Sequence, residues 1–442
     1  MILVGNGIVI TQDNNNPIIN NGAIVIKDNI IVEVGDYNAL KSKYNNYEFV
    51  DAKGKVIMPG IINNHHHIYS AFARGMDNKE APSNNFVEIL ERLWWKMDKK
   101  LTLEDTKYSA YTTYIDCIKN GVTTVFDHHA SPYSITDSLF AIGDVAKELG
   151  MRTTLCYEVS DRDGVDITNE GIYENVNFIK YANKDDSDMI KGLFGLHASF
   201  TLSNKTLEKC AKEMEGLNTG YHVHAAEGIA DLHDTLKVSG KRVIERLNDY
   251  NILGDKTLAV HCIHINDNEM GLLKSTNTNV INNPESNMGN AVGCSPVLEM
   301  LNKGVTVGMG TDGYTSDMFE SMKVFPIIQR HNSCHPGVAF NETFKLLFEN
   351  NKIIADKYFN REVGVLKEGA YADIIVLDYN PLTPMNANNL HGHMLFGFTG
   401  RSVITTIING KIIMKDREML NIDEEKIFRK SRELAQKLWE KM

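Results

Sequence analysis

Short apolar runs rich in β-branched residues occupy both ends of the chain. Within residues 1–57 they alternate with Asn, Pro and Gly, which is typical of antiparallel strands joined by turns. The same pattern returns over residues 365–420, where Asn409 and Gly410 between two apolar runs predict a hairpin. We therefore expect these two segments to form one small β-sandwich domain. Spaced apolar residues among charges over 423–441 predict an amphipathic helix that packs against it.

Residues 58–364 show a different pattern, in which apolar strands alternate with helices. Thr102, with Asp105 three residues later, predicts one helix start, and Gly121 predicts its end. The predicted strands cover residues 56–64, 122–126, 152–157, 192–196, 219–223, 257–260, 278–281 and 305–308. Strands this apolar, each followed by a helical crossover, are typical of a parallel sheet covered on both faces. The sequence therefore predicts an α/β fold, a (β/α)8 TIM barrel over residues 58–364.

Composition and charge exclude several classes of partner. The 442 residues include 46 Lys and Arg against 57 Asp and Glu, a net charge of −11 that disfavours nucleic acid as a partner. No apolar run approaches the roughly 18 residues that a membrane span requires. The six cysteines lack the spacing of zinc or redox motifs, so we expect reduced thiols in a cytoplasmic protein. With nucleic acid and membrane disfavoured, the expected partner is a small molecule.

Polar side chains follow every predicted barrel strand. Of the 15 histidines, eight stand at such strand ends: His65, His66, His67, His128, His129, His197, His224 and His261. The acidic and amide residues at these ends are Asp127, Glu158, Glu227, Asn282, Asn283 and Asp312. The C-terminal ends of barrel strands converge on one mouth, where enzymes of this fold perform their chemistry. This distribution predicts an active site at the mouth.

His65 and His67 are the first candidate metal ligands. They are two residues apart on a strand and share a face, whereas His66 points away. His224 ends a later strand and Asp312 follows the last one, so each can add a ligand. Three histidines and a carboxylate suit a borderline-hard divalent ion and leave a position for water. The alternatives are a run of surface histidines and a helix-capping aspartate.

Glu227 and His261 are the candidate catalytic residues, together with Asp312. A carboxylate just after the strand can act as a base for a water that a metal activates and then as an acid for the leaving group. His261 can hydrogen-bond this water or a developing oxyanion. The alternatives are a solvated glutamate at a helix start and a structural histidine. We expect His222 to line the barrel interior and His264 to begin a loop.

Several motifs, in order along essentially the whole chain, resemble the signature of the amidohydrolase superfamily. The match is to its one-metal branch of deaminases and chlorohydrolases, and segments 124–132 and 283–293 are most similar to the SsnA group of aminohydrolases. The motifs are Pro59-Gly60-Ile61-Ile62-Asn63-Asn64-His65-His66-His67, Arg74-Gly75, His224-Ala225-Ala226-Glu227, His261-Cys262, Asn283-Pro284-Glu285-Ser286-Asn287 and Gly310-Thr311-Asp312-Gly313.

The resemblance implies the same ligands and catalytic residues that the spacing selects. It also implies one divalent metal ion, zinc or alternatively iron, because two-metal members need a modified lysine at the fourth strand end and Lys191 precedes that strand. His197, at the fourth strand end, resembles a position that contacts substrate in the deaminases, and His128 and Asn287, which lie in the two SsnA-like segments, are also expected to contact substrate. Trp94 is a candidate stacking surface for a planar ring, although its apolar neighbours equally fit a helix face. A homodimer is a further expectation from the resemblance.

These features predict the hydrolytic deamination of a purine-, pyrimidine- or pterin-like heterocycle. Glu227 is suited to protonate a ring nitrogen before ammonia leaves, which favours deamination over hydrolysis of a cyclic amide or a ring carbon–halogen bond. A third hypothesis is a catalytically silent binding protein. Such a protein would be expected to lose a ligand or Glu227, and the sequence retains all of them.

Overall fold

The computed structural model describes residues 1–44 and 46–442, and strands alternate with helices along most of this length. The strands of these residues are, in chain order, β1 (Ile2–Ile10), β2 (Ile18–Lys27), β3 (Ile30–Asp36), β4 (Glu48–Asp51), β5 (Val56–Pro59), β6 (Ile61–His66), β7 (Val122–His129), β8 (Arg152–Tyr157), β9 (Ile190–Gly192), β10 (Phe194–Ala198), β11 (Tyr221–Ala225), β12 (Leu258–His261), β13 (Asn279–Asn282), β14 (Val307–Met309), β15 (Ile374–Leu377), β16 (Val403–Ile408), β17 (Lys411–Lys415) and β18 (Glu418–Met419).

Helices fill the connections between these strands. The α-helices are α1 (Tyr37–Lys43), α2 (Phe86–Ile89), α3 (Trp95–Met97), α4 (Leu103–Lys119), α5 (Ser138–Leu149), α6 (Val165–Ala182), α7 (Asn204–Glu213), α8 (Ile229–Ser239), α9 (Val243–Asp249), α10 (Asp267–Ser275), α11 (Pro284–Gly289), α12 (Val297–Asn302), α13 (Met318–Ser333), α14 (Phe340–Phe344), α15 (Asn351–Ala355), α16 (Leu390–Gly397) and α17 (Glu424–Trp439). The segments Leu90–Trp94 and Lys345–Asn350 are π-helical, and short 3-10 turns cover Ile68–Ala73, Asp98–Lys100, Ser199–Thr201 and Gly400–Ser402.

Strands from both chain ends join in one nine-stranded sheet. Its order is β18-β17-β16-β15-β5-β1-β2-β3, and β4 pairs with β1. Apolar side chains cover both of its faces. Val4 and Ile24 belong to one buried cluster, whereas Leu3 and Val25 pack with helix α1 in another. A small β-domain is thus built from the two terminal segments, and its exact limits stay a prediction.

Gly60 separates two strands where the sequence predicts a single one. β5 pairs with β1 and β15 in the terminal sheet, whereas β6 pairs with β7 in the barrel. A Cβ atom at Gly60 would lie only 2.2 Å from the hydroxyl oxygen of Thr123, so a glycine is required at this crossing. The single predicted strand over residues 56–64 is therefore wrong, because a continuous apolar run does not reveal that its two halves join different sheets.

The parallel strands β6 to β14 form the barrel wall in two sheets, β6-β7-β8-β9 and β10-β11-β12-β13-β14. β9 and β10 follow each other at the position of one predicted strand. β9 pairs with β8, and β10 pairs with β11. Single parallel bridges join Val159 to Leu196 and His66 to Asp312 at the two seams. With a helical connection after each strand position, this is the predicted (β/α)8 barrel.

The helix starts follow the capping signals of the sequence. Thr102 caps α4 and Asn266 caps α10, and in each case the backbone amide of the cap residue donates to the acidic side chain three positions later. The terminal helix α17 contacts the barrel as well as the β-domain: Leu434 and Leu438 lie in a cluster with Tyr69 and Phe72, and Glu424 accepts from the Met419 amide of β18. None of the helices in the described part of the chain has the length and apolarity needed to cross a membrane.

Candidate metal centre and active site

Side chains from three strand ends converge at the mouth of the barrel. His65 and His67 leave β6 on the same side, and His224 projects from β11. Their ligand nitrogens all lie within 4.8 Å of one another. The Nε2 atom of His67 is 3.2 Å from Nε2 of His224 and 3.3 Å from Oδ1 of Asp312, which follows β14. The four predicted ligands therefore surround one small volume.

The donor atoms of this cluster suit a divalent cation. Nε2 of His65 and Nε2 of His261 are buried and have no hydrogen-bond partner within the described residues. Burial lowers the pKa of His65 well below its usual value, and the neighbouring His67 lowers it further, so the imidazole is neutral. Neutral imidazoles with free lone pairs, together with a carboxylate, form a ligand set that zinc takes in catalytic sites. The residues fit a metal ion, and their role as its ligands stays a prediction.

Contacts behind the cluster fix the orientation of its rings. His67 Nδ1 and His224 Nδ1 face backbone carbonyl oxygens at 2.6 and 2.9 Å, so these nitrogens carry the protons. His65 Nδ1 lies 2.8 Å from Nε2 of His222, which is the contact that His222 makes inside the barrel. The Nε2 lone pairs of His67 and His224 are consequently directed inward. Such outer contacts are typical of metal-ligating histidines.

Asp312 lies in a strained turn directly after β14. Its φ of 57° is in the left-handed region that non-glycine residues rarely adopt, and such strain is concentrated at functional sites. The Ser286 hydroxyl and the Gly313 amide each donate to its carboxylate at 2.6 Å. Although burial favours the neutral form, His67, His261 and these donors hold the pKa of Asp312 below its ordinary value. Asp312 is thus an ionised carboxylate aimed at the histidines.

Glu227 and His261 stand together at the edge of this cluster. His261 Nε2 lies 3.5 Å from Glu227 Oε2 and 3.7 Å from Asp312 Oδ2. His261 Nδ1 is 2.8 Å from the Asn287 side-chain oxygen, which leaves Nε2 as the free nitrogen. Burial and the negative charge of Asp312 raise the pKa of Glu227 well above its ordinary value. This shift favours the neutral form of Glu227, in which the carboxyl can donate a hydrogen bond to a bound molecule.

A cavity opens above these groups at the mouth of the barrel. Of the predicted substrate contacts, His197 and Trp94 line it. Trp94 ends a π-helical segment, a feature frequent at functional sites. His128 and Asn287 are not brought to the wall. His128 Nε2 faces the backbone oxygen of Leu196 at 3.1 Å, and Asn287 contacts His261 from behind.

Glu158 lines the cavity, although the sequence assigned it no role. It directly follows β8, the third strand of the barrel, and this position at a strand end is the one feature of the sequence that pointed to it. Its carboxylate lies 3.4 Å from His128 Nδ1, 3.8 Å from His197 Nε2 and 4.0 Å from Arg162 Nη2. Burial opposes ionisation, yet His197, His128 and Arg162 together lower the pKa of Glu158. Glu158 therefore brings a second ionised carboxylate to the wall of the cavity.

The remaining strand-end histidines face elsewhere. His129 Nε2 contacts the Ser131 hydroxyl at 2.9 Å, and His264 Nε2 contacts the backbone oxygen of Val292 at 3.0 Å. Both ring nitrogens of His66 are buried and lack a partner within the described residues. His66 lines a different cavity from the one that His67 lines, so its side chain points away from the cluster, as its position on the strand predicts.

A (β/α)8 barrel that gathers histidines and an aspartate at its mouth is an architecture of metal-dependent hydrolases. The profile of the Amidohydrolase family matches residues 56–413. The chain belongs to the amidohydrolase family.

Its relatives include deaminases of adenine nucleosides. The chain is 30% identical to the 5'-deoxyadenosine deaminase of Methanosarcina mazei, over 99% of this chain and 98% of that protein. It is 32% identical to the 5-methylthioadenosine/S-adenosylhomocysteine deaminase of Thermococcus onnurineus, over 95% of both. An adenosine deaminase from Xanthomonas campestris with bound zinc has the same fold, with a TM-score of 0.88 over 99% of this chain and 98% of that chain at 18% identity. The predicted family and barrel fold are confirmed.

Proposed function

We propose that this protein is a metal-dependent aminohydrolase that replaces the exocyclic amino group of a purine-like ring by hydroxyl from water. The observation that carries the proposal is the position of Glu227, a buried carboxyl with a raised pKa at the edge of a cluster of three histidines and an aspartate. Deamination of a heterocycle requires an activated water and an acid for the ring nitrogen, and this arrangement supplies the residues for both.

His65, His67, His224 and Asp312 are the residues that would hold the metal, with zinc as the expected ion. When bound, a divalent ion lowers the pKa of water towards neutrality and makes it a nucleophile. Asp312 is kept ionised by its neighbours and is suited to accept a proton from the attacking water. The Ser286 hydroxyl at 2.6 Å holds its Oδ2 atom in place.

Glu227 acts as the acid in this proposal. Its proton passes to a ring nitrogen of the substrate while the oxygen of water bonds to the adjacent ring carbon. The carbon–nitrogen bond to the amino group then breaks, and the group leaves as ammonia with the proton that water gave up. The remaining proton of the added hydroxyl returns to Glu227, which leaves a carbonyl group on the ring and restores the acid. His261, held by Asn287, is placed to accept a hydrogen bond from the attacking water through Nε2, which lies within 4 Å of both carboxyl groups.

The substrate that we propose is an adenosine with a modified 5' position. The two relatives described above are named for 5'-deoxyadenosine, 5-methylthioadenosine and S-adenosylhomocysteine, which share an adenine nucleoside. Both relatives match over at least 95% of the chain, so the barrel mouth is included in the similarity. Trp94 and Tyr69 in the cavity wall offer aromatic surfaces for a flat ring.

The test is an ammonia-release assay with zinc-loaded protein. The substrates to compare are 5'-deoxyadenosine, 5-methylthioadenosine, S-adenosylhomocysteine, adenine, guanine and cytosine, with Glu227→Gln as the inactive control. We expect ammonia in equal amount to the deaminated ring product from at least one adenosine. Absence of ammonia from all six, together with hydrolysis of a cyclic amide or a triazine halide by the same protein, would contradict deamination.

A further inference from the structure

A second and larger cavity lies beside the catalytic one, on the outer side of β6. Its volume is about 810 Å³, and residues of the 3-10 turn Ile68–Ala73, helix α4 and the terminal helix α17 line it. A volume of this size accommodates a small organic molecule. The proposed deamination makes no use of this cavity.

Two buried polar side chains in its wall have no partner within the described residues. His66 is 5% exposed, and neither of its ring nitrogens has a hydrogen-bond partner. Ser431 on α17 is 6% exposed, and its hydroxyl also lacks one. A buried polar group without a partner is costly, and such groups in native proteins usually have a ligand, an ion or water as partner. Both side chains therefore indicate a polar occupant of the cavity.

The apolar part of the wall is largely aromatic. Phe72, Trp94, Phe428 and Trp439 all line the cavity, and Trp439 is fixed by a bond from its indole nitrogen to the backbone oxygen of Phe72 at 2.7 Å. Aromatic walls favour flat rings, which they contact over a large area. The occupant is consequently expected to have a planar apolar body.

The charged residues of the wall are mainly cations. Arg74, Lys119 and Arg432 line the cavity, against Asp116 as the one acidic residue of the wall. Each cation already contacts one carboxylate, at 2.9, 2.5 and 3.2 Å. Arg74 and Arg432 remain 75% and 65% exposed, so their other donors are free for a ligand. Because a guanidinium has five N–H donors in a fork that matches anionic oxygens, the two arginines can still bind an anionic group.

We propose that this cavity is a binding site for a small organic anion with a flat aromatic body, separate from the substrate site. The ring lies among the aromatic side chains with its polar edge at His66 and Ser431, and the anionic group faces Arg432 and Arg74. Four residues line both cavities: Ser70, Trp94, Gly313 and Tyr314. A ligand here would touch the turn that follows Asp312, but its binding does not depend on which reaction the enzyme catalyses.

The test uses 8-anilinonaphthalene-1-sulfonate, an aromatic sulfonate, as the probe for zinc-loaded full-length protein. Fluorescence titration and calorimetry are expected to give one saturable site per chain. Arg432→Gln should raise the Kd about threefold to tenfold, whereas Arg429→Gln, which removes an exposed arginine from the same helix, should leave it unchanged. The uncharged parent compound, without the sulfonate, should bind at least about tenfold more weakly.

Ala435→Trp places a large side chain in the cavity wall and is expected to abolish binding. Should this variant fail to fold by circular dichroism, the two arginine variants decide the question alone. The proposal is overturned if the probe does not saturate, or if the wild type and Arg432→Gln bind it equally. Equal binding of the charged and uncharged probes would likewise overturn the assignment of an anion.

Discussion

The two ends of the barrel both contain buried charged groups, but only one end satisfies them internally. At the N-terminal end of β8, Arg152 and Asp373 are completely buried and bonded at 3.1 Å. Arg152 also donates to the backbone oxygen of Asp188 at 2.7 Å, and its guanidinium lies 4.2 Å from the Tyr371 ring centre. The Asn409 amide donates to Asp373 at 2.7 Å. Every part of this pair has a partner that the chain itself supplies.

The mouth differs because buried nitrogens there lack partners. Nε2 of His65 and of His261 face the interior of the cluster without a hydrogen bond from the described residues. Glu227 and Asp312 lie nearby with pKa values shifted in opposite directions, raised for Glu227 and lowered for Asp312. Carboxyl groups with pKa values shifted in opposite directions are features of functional sites, and so are buried polar groups without hydrogen-bond partners. Buried polar groups whose hydrogen bonds are all formed contribute to stability instead. We therefore expect the buried polar groups of the mouth to serve the reaction and those of the opposite end to stabilise the fold.

The largest expected effect is on activity at the mouth. Glu227→Gln removes the proton donor and should lower kcat by about 10²–10⁴-fold, with the free energy of unfolding changed by less than about 1 kcal/mol. Steady-state kinetics and urea denaturation measure the two quantities. Glu174→Gln is the matched control, since Glu174 is a buried glutamate on the outer helix α6 that accepts from the Leu139 amide and does not line the cavity. An equal fall of kcat in both variants would contradict the comparison.

A change at the opposite end should affect stability instead. Asp373→Ala leaves Arg152 buried without its carboxylate, which should lower the free energy of unfolding by about 3–5 kcal/mol. The kcat of the folded protein should remain within about twofold of the wild type, because the change lies at the other end of the barrel. Urea denaturation and active-site-normalised kinetics test this. A loss below about 1 kcal/mol, or a selective loss of kcat, would remove the distinction between the two ends.

A smaller effect is expected for the residue that orients His261. Asn287→Ala removes the acceptor for His261 Nδ1 at 2.8 Å. We expect kcat to fall about tenfold, the smallest loss that is typical when a residue that orients a histidine at a metal site is removed. Asn287→Asp keeps an acceptor oxygen in the same place and should lose less. Identical kinetics of both variants would indicate that the contact has no part in the reaction.

The mouth could be predicted from the sequence because its signal is local. His65 and His67 are two residues apart on one strand, so the side they share follows from the alternation of side chains. Asp312 and His224 each follow an apolar strand, and strand ends of a parallel barrel meet at one place. Thr102 and Asn266 identified helix starts for the same reason, since a cap and its acidic partner are three residues apart.

Features that depend on distant contacts could not be predicted in this way. The break at Gly60 depends on the side chain of Thr123, which is remote in sequence. The packing of α17 on the barrel depends on Tyr69 and Phe72, which no pattern within 423–441 reveals. The sequence placed Glu158 at a strand end, but its role depends on His197 and Arg162 around it.

Metal content tests the central claim most directly, because all the assigned roles at the mouth depend on the histidine cluster. The protein is incubated with zinc, freed of excess ion by gel filtration and measured by inductively coupled plasma mass spectrometry. The wild type and His331→Ala, which changes an exposed histidine on α13, should each retain about one zinc per chain. The double variant His65→Ala/His67→Ala should retain almost none. A wild type that retains no metal, or a double variant that retains as much as the wild type, would contradict the account.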